Sequence, residues 1–382
     1  MKTQLLKRFN NIFHRDASHV FSCGGRFEIL GNHTDHNHGL CLAATCDLAI
    51  SGAVLPIDKD EVVIHSKGYP ADVVYLDDLS IDKKEYGTSK GLIRGVAAYL
   101  KENGYKVGGF VAYTESTIFP GAGVSSSAAF EVFVGYIFSF LYNEGKIPTI
   151  TLAKAGQYSE NNYFGKASGL LDQIGVAFGN ISYIDFENIK EPKIEQIEFP
   201  FKDLHFVIIN TGGSHAALSH LYSAIPNDMY NAAKKAGVNF LRETTFEKVK
   251  EQQLLDIERD RALHFYTENE RVLSAIKALK EKDKESFLKA INESRLSSTN
   301  YLKNMMVENE YKGSPLEACD LFMEITKGEG AIKINGGGFA GSVIAAVPDN
   351  LLDLVITEMG NKYGKNNVKE VHVRPVGPTL VK

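Results

Sequence analysis

Apolar positions in the first half of the chain come mostly as short β-branched runs separated by turn residues. Residues 20–23, 40–43, 48–54, 61–65, 72–75 and 107–113 have the length and content of strands, several of them bounded by Gly, Pro or Asp. Between and after them the period changes. Residues 90–103 carry apolar side chains at helical spacing, and 125–142 are apolar nearly all round, as a helix buried on most of its surface should be. Residues 151–163 predict a third helix. Together these elements predict a β-led domain with helices packed on it, without regular βαβ alternation.

The run "DFENIKEPKIEQIEFPFKD" that follows is charged and holds two prolines, which predicts a separator and a domain boundary near Phe199, giving domains 1–199 and 200–382. Beyond it the pattern predicts a strand at 205–210. From 228 to 327 it predicts an almost wholly helical stretch with solvated charged faces, and then strands at 331–334, 342–347 and 370–373. The chain's 382 residues have room for two or three packed units, and 44% hydrophobic against 23% charged residues excludes a disordered chain. Lys plus Arg number 42 against 47 acids, a net charge of −5 that offers no basic field to a polyanion, so nucleic acid is not an expected partner. Cys23, Cys41, Cys46 and Cys319 form no C-x-x-C pair and suit reduced thiols. The start "MKTQLLKRFNNIFHRD" lacks the apolar core of a secretory signal, and the apolar stretch 128–141 carries Glu131 and is too short to span a membrane. A soluble cytoplasmic protein with no membrane partner is expected.

Three segments carry chemistry. In "GGRFEILGNHTDHNHG" the residues Arg26, Asn32, His33, Asp35, His36 and His38 are expected within one loop that Gly25, Gly31 and Gly39 let turn tightly. Alone, its histidines and Asp35 would also suit a zinc hydrolase, with His215 and His220 as the further candidate ligands, or a loop that merely bonds its own backbone. In "PGAGVSSSAAFEVF" a Gly–Ala–Gly turn feeds serines that open a helix, the arrangement that aims backbone N–H groups and the positive helix end at phosphate. A serine there is also a candidate helix cap, or a hydroxyl ligand for the magnesium that accompanies nucleotide phosphates. No G-x-x-x-x-G-K-[ST] occurs, so a nucleotide would be held outside the P-loop manner. In "GLLDQIGVAFG", which follows a helix holding Glu160, Asp172 stands in an apolar setting where an unpaired carboxylate is costly. It needs a cationic or hydroxyl partner, and Arg26 is a candidate. A fourth run, "NGGGFAGS", satisfies G-x-G-x-x-G, but a strand-like "SVIAAV" follows it; a tight strand-to-strand loop is expected in place of a dinucleotide site.

In order and spacing over essentially the whole chain, these segments resemble the motifs of the GHMP small-molecule kinases. "GRFEILGNHTDHNHG" is most similar to the galactokinase signature, "PGAGVSSSAA" to the phosphate loop, "GLLDQ" to the catalytic-aspartate segment and "NGGGFAGS" to the third motif. The resemblance implies an α+β fold of two domains, the N-terminal one like ribosomal protein S5 domain 2 and the C-terminal one ferredoxin-like, with the site in the cleft between them. It further implies transfer of phosphate from ATP, with Mg2+, to the anomeric hydroxyl of galactose. Asp172 would then be the base or orienting carboxylate, and Arg26 would hold it ionised. Gly121, Ala122, Gly123, Val124, Ser125, Ser126 and Ser127 would wrap the phosphates, and Ser127 and Glu160 would bind magnesium. Asn32, His33, Thr34, Asp35, Gly169 and Tyr222 would contact the sugar, with Tyr230 the fallback for Tyr222. The sequence departs from the family where Asn32 replaces a glutamate and His36 a tyrosine, and where the arginine pair expected after Tyr222 is missing. The alternatives are a kinase of the same family for another sugar and a non-catalytic sensor of galactose and ATP.

Overall fold

The computed structural model describes residues 2–213 and 218–381. Helix α1 (Lys2–Phe13) leads into β1 (His19–Leu30) and β2 (Leu40–Pro56), which pair antiparallel along most of their length. The hydrophobic pattern splits β2 in two, and the structure does not. Thr45 and Asp47 interrupt its apolar run, yet Arg26 pairs with Thr45 and the strand continues through them. Then come β3 (Glu61–Ser66), β4 (Asp72–Tyr75), α2 (Ser89–Glu102), β5 (Phe110–Ser116), α3 (Ser126–Tyr142), α4 (Thr149–Ser159), α5 (Leu171–Ala177), β6 (Ile181–Asp185) and β7 (Lys193–Ile197). β2 pairs with β5, β5 with β3 in parallel and β3 with β4, while β6 joins the other part of β2 and β7 pairs with β6. The charged run expected to be a separator thus contains a strand at the sheet edge, where charged side chains are tolerated because they face water. Helices α2 to α5 cover one face of the sheet, packing Ile93, Val96, Phe133 and Phe138 against Phe110 and Phe21.

The second half supplies β8 (Leu204–Asn210), α6 (Ser219–Lys235), α7 (Phe246–Lys250), α8 (Asp256–Glu281), α9 (Lys284–Ser297), α10 (Pro315–Ile325), β9 (Ala331–Asn335), β10 (Ser342–Pro348), α11 (Leu352–Tyr363) and β11 (Val368–Val371). These strands form an antiparallel sheet in the order β11-β8-β10-β9. The succession strand, helices, strand, strand, helix, strand is ferredoxin-like, and the whole is a mixed α+β fold. The stretch 228–327, expected to be almost wholly helical, is built of successive helices, the first of which starts earlier and carries Pro226 inside it. A last strand, β12 (Thr379–Leu380), crosses back to pair with β1. The two sheets meet through a shared apolar layer that includes Phe27, Leu42, Ala122 and Val124 from one side and Phe206, Ile208, Val272 and Ile344 from the other. Among the described residues no helix is long and apolar enough to cross a membrane, and the four cysteines are buried and unpaired.

Candidate active site

Arg26 lies on β1 and not in the loop that follows, which corrects the expectation that it belongs with the histidines. A register shift between Gly24 and Arg26 bends the strand there. Its guanidinium, 6% exposed, donates from Nε (2.9 Å) and Nη2 (2.6 Å) to Asp172 Oδ1 and from Nη1 to the carbonyl of Gly123 (2.6 Å). Asp172 stands in the first turn of α5, and its Oδ2 accepts from the Ser125 hydroxyl at 2.5 Å. Burial alone would raise the Asp172 carboxyl. Arg26 and Ser125 outweigh it and hold the group below the ordinary aspartate value.

The serine run opens α3 as expected, but not by capping it. Ser125 occupies a left-handed conformation (φ 54°), makes no side-chain cap bond and spends its hydroxyl on Asp172. Ala122 and Val124 are 1% exposed and pack their side chains into the apolar layer between the sheets; Val124 O accepts the Arg26 N–H at 3.0 Å. Gly123 (φ +68°) allows the close approach of β10, since a Cβ there would lie 2.0 Å from Ser342 Oγ. A cleft of about 840 Å³ is lined by Gly121 through Ser127, Arg26, Gly336 and Gly337. It extends past Phe119 and Phe130 to Ser66, Lys67, Tyr69 and Asp72, a region that no sequence motif marks.

One turn of π-type helix, Glu160–Phe164, extends α4 and carries Glu160, which is 1% exposed. Its Oε1 accepts from Ser127 Oγ (2.9 Å) and Lys166 Nζ (2.8 Å), and its Oε2 from Gln173 Nε2 (3.0 Å). Gln173 Nε2 also donates to Glu131 Oε2 at 3.1 Å. Glu131 is fully buried, and burial first, then the nearby Glu160, pushes its carboxyl well above the usual carboxylate range.

The segment 31–39 packs against the loop joining β9 to β10, which is the strand-to-strand turn expected of "NGGGFAGS". His33 Nε2 lies 2.8 Å from the carbonyl of Gly337. Asp35 sits so close to Gly169 that a Cβ on that glycine would come within 2.3 Å of its Oδ2. Burial raises the Asp35 carboxyl to about 6, with smaller upward contributions from Glu28 and Asp172. Tyr222 donates to the carbonyl of Gly338 (2.7 Å) and its ring covers Gly337, whereas Tyr230 donates to the carbonyl of His36 (3.0 Å). Two expected sugar contacts point inward instead. Thr34 is fully buried, its hydroxyl spent on the carbonyls of Gly31 and Leu40. Asn32, 1% exposed, donates to Glu28 Oε1 and Gly336 O and accepts from Asn304 Nδ2.

The histidine cluster does not assemble a metal centre. His38 stacks on Phe240 at 3.8 Å, and among the described residues no three His, Cys, Asp or Glu side chains converge on a metal position. His215 lies outside the described residues, and His220 is exposed. The sequence also leaves unmarked the groups that brace this segment from behind. Glu268 Oε1 accepts the N–H of Gly31 at 2.9 Å, His264 Nε2 lies 2.9 Å from Asn32 O, and buried Lys333 reaches Glu28 at 3.1 Å. Of these only Lys333 carries a local signal, as the one cation within the apolar strand "AIKIN".

Known proteins resemble this chain in both sequence and fold. Residues 7–56 match the galactokinase galactose-binding signature and residues 91–180 the N-terminal domain of GHMP kinases. The chain is 29% identical to a galactokinase of Lactobacillus helveticus, over 95% of this chain and 94% of the relative. It is 28% identical to one of Limosilactobacillus fermentum, over 94% and 93%. In fold it is similar to Lactococcus lactis galactokinase crystallised with galactose (TM-score 0.84, 23% identity, 100% of this chain and 99% of that one). It is also similar to Methanococcus jannaschii mevalonate kinase (TM-score 0.67, 18% identity, 93% and 98%).

Proposed function

We propose, from the likeness to the galactokinase signature, the GHMP kinase N-terminal domain and galactokinases along nearly the whole chain, that the protein is a GHMP-type kinase that transfers the γ-phosphoryl group of ATP to the anomeric hydroxyl of galactose, giving galactose 1-phosphate and ADP. The observation that carries the mechanism is the pairing of Asp172 with Arg26 and Ser125 beside the open start of α3. Gly121 through Ser127 wrap the phosphates, with N–H groups at the helix start facing negative charge. His33, Asp35, Gly169 and Tyr222 form the sugar side, and residues 1–199 and 200–382 are the two domains that enclose the site.

In the reaction the sugar oxygen attacks the γ-phosphorus in line, the O–H bond breaks as the O–P bond forms, and ADP leaves. A carboxylate held below its ordinary pKa is a weak base. Asp172 therefore orients the hydroxyl and takes its proton late, when the oxygen is already bonding to phosphorus, as suits a loose phosphoryl-transfer transition state. Arg26 keeps Asp172 ionised and adds positive charge beside the phosphates. Ser127 Oγ and Glu160 Oε1, 2.9 Å apart, are hard oxygen donors that fit Mg2+, and Lys166 on the same carboxylate balances its charge. Bound there, magnesium would neutralise charge on the nucleotide phosphates.

The test is ADP release measured over a panel of hexoses. Galactose is expected to give the highest kcat/KM. Another sugar ranking far above it overturns the substrate assignment, and no ADP release with any sugar overturns the kinase assignment.

A further inference from the structure

Glu131 stands four residues after Ser127 on α3, hence on the same face of the helix. It is fully buried, and a Cβ on Gly156 of α4 would lie 2.8 Å from its Oε2, so α4 leaves room for the carboxyl only by lacking a side chain there. Gln173, next to Asp172, is also fully buried and gives its amide nitrogen to two carboxyls, Glu131 Oε2 at 3.1 Å and Glu160 Oε2 at 3.0 Å. Glu131 Oε1 and Gln173 Oε1 are left without a partner. Glu160 has Ser127 and Lys166 as further donors, but among the described residues Glu131 has only the glutamine.

We propose that Glu131 is a positioning residue for the transfer: through the Gln173 amide it holds the Glu160 carboxylate in register with Ser127. This takes Glu160 and Ser127 as the magnesium ligands of the proposed function. The physical reason is the two-ended amide. While Glu131 accepts from Nε2, the glutamine keeps its nitrogen between the two carboxyls. Without that acceptor the amide is free to turn over and set its own oxygen against Glu160, where two acceptors repel and the carboxylate moves off Ser127. A hydrogen on Glu131 Oε1 would also satisfy the orphaned Gln173 Oε1, closing an acid–amide pair, and it accords with the upward displacement of the Glu131 carboxyl.

The experiment measures Mn2+ binding, by electron paramagnetic resonance in the presence of a non-hydrolysable ATP analogue, beside kcat and KM for galactose. Glu131→Leu and Gln173→Leu are each expected to weaken Mn2+ binding about 10- to 100-fold, as loss of groups supporting a metal ligand does, with KM for galactose within about twofold of wild type. Glu131→Gln, which keeps an oxygen acceptor, is expected to restore Mn2+ binding to within a few-fold. Wild-type Mn2+ binding by a folded Leu variant overturns the proposal; so does Glu131→Gln failing as badly as Glu131→Leu, because Glu131 would then act by its charge. If Glu131→Leu does not fold, Gln173→Leu carries the same test. Glu160→Ala separates the two assignments: unchanged Mn2+ binding in that variant overturns the magnesium site itself.

Discussion

At Asp172 three donor atoms meet one carboxylate, two from Arg26 and one from Ser125. Removing the charge without changing the shape isolates its role. Asp172→Asn is expected to lower kcat by about 10²–10⁴-fold while ATP binding, read by calorimetry, stays within a few-fold, because the phosphate loop is intact. Near-normal turnover would remove Asp172 from the mechanism. Asp35 offers an opposite kind of test. Its carboxyl titrates near 6 in the folded chain against a reference of 3.8, so between those values the folded state binds more protons than the unfolded one. Stability therefore falls as pH rises from about 4 to about 6 and is level above that. Asp35→Asn removes the cost of a largely desolvated, half-buried charge and is expected to stabilise the protein at pH 7 by roughly 1–3 kcal/mol, since each tenfold change in proton affinity is worth about 1.4 kcal/mol. The gain should vanish below pH 4, while KM for galactose rises. Equal thermal midpoints for variant and wild type at pH 7 would show that the desolvated Asp35 carboxylate costs the fold nothing.

The elements differ in how openly the sequence announces them, and the difference follows from what each buries. Helix α3 is legible because nearly every face of it packs; Arg26 and Asp172 are legible as polar groups in glycine-rich or apolar surroundings, whereas Ser127 and Glu160 stand out only through the resemblance to the kinase motifs. Helix α1 is hard to read because its anchors Leu5 and Phe9, with Leu6 and Phe13 half-buried beside them, are interspersed with Lys, Gln, Arg and Asn. Strand β7 alternates charged and apolar residues at an exposed edge, where local pattern cannot tell it from a linker. Gln173, Asn304 and Glu268 act through neighbours far away in the chain, so no local spacing marks them. The inward turn of Asn32 is hidden for the same reason, since its partners include Asn304 and Gly336. Thr34 turns inward onto nearby carbonyls, which its side chain alone does not announce. The phosphate loop gives an expectation at this scale. In Gly123→Ala a Cβ would collide with Ser342 Oγ at 2.0 Å on a backbone of φ +68°, so the loop must move away from β10. The affinity for a fluorescent ATP analogue is expected to fall at least tenfold, on the order of 1.4 kcal/mol. Unaltered affinity would mean that the turn tolerates a side chain and that glycine is not required there.

Across the whole molecule the site depends on contacts between the halves. Asn335 of the second sheet donates to the same Gly123 carbonyl that Arg26 holds, and the chain end returns to brace the first sheet. Leu380 and Thr379 pair with Phe21 and Ser22 of β1, and the Val381 N–H reaches Val20 O at 2.7 Å. Just before that strand, a Cβ on Gly377 would lie 1.9 Å from Ala177 O, so the tail is pressed against the end of α5, the helix whose first turn carries Asp172. Removing residues 375–382 leaves Arg374 on Ser22 but takes away both the edge pairing and the prop under α5. The truncated protein is expected to melt roughly 3–8 °C lower and to self-associate with rising concentration, because the edge of β1 is then open to pairing with another chain. Its kcat should fall several-fold even well below the melting range, since α5 aims Asp172. Scanning calorimetry, size-exclusion chromatography and steady-state kinetics on one preparation separate these effects. A lowered melt with unchanged kcat would mean that Arg26 and Ser125 alone hold the carboxylate in place and that the tail serves the fold without reaching the chemistry.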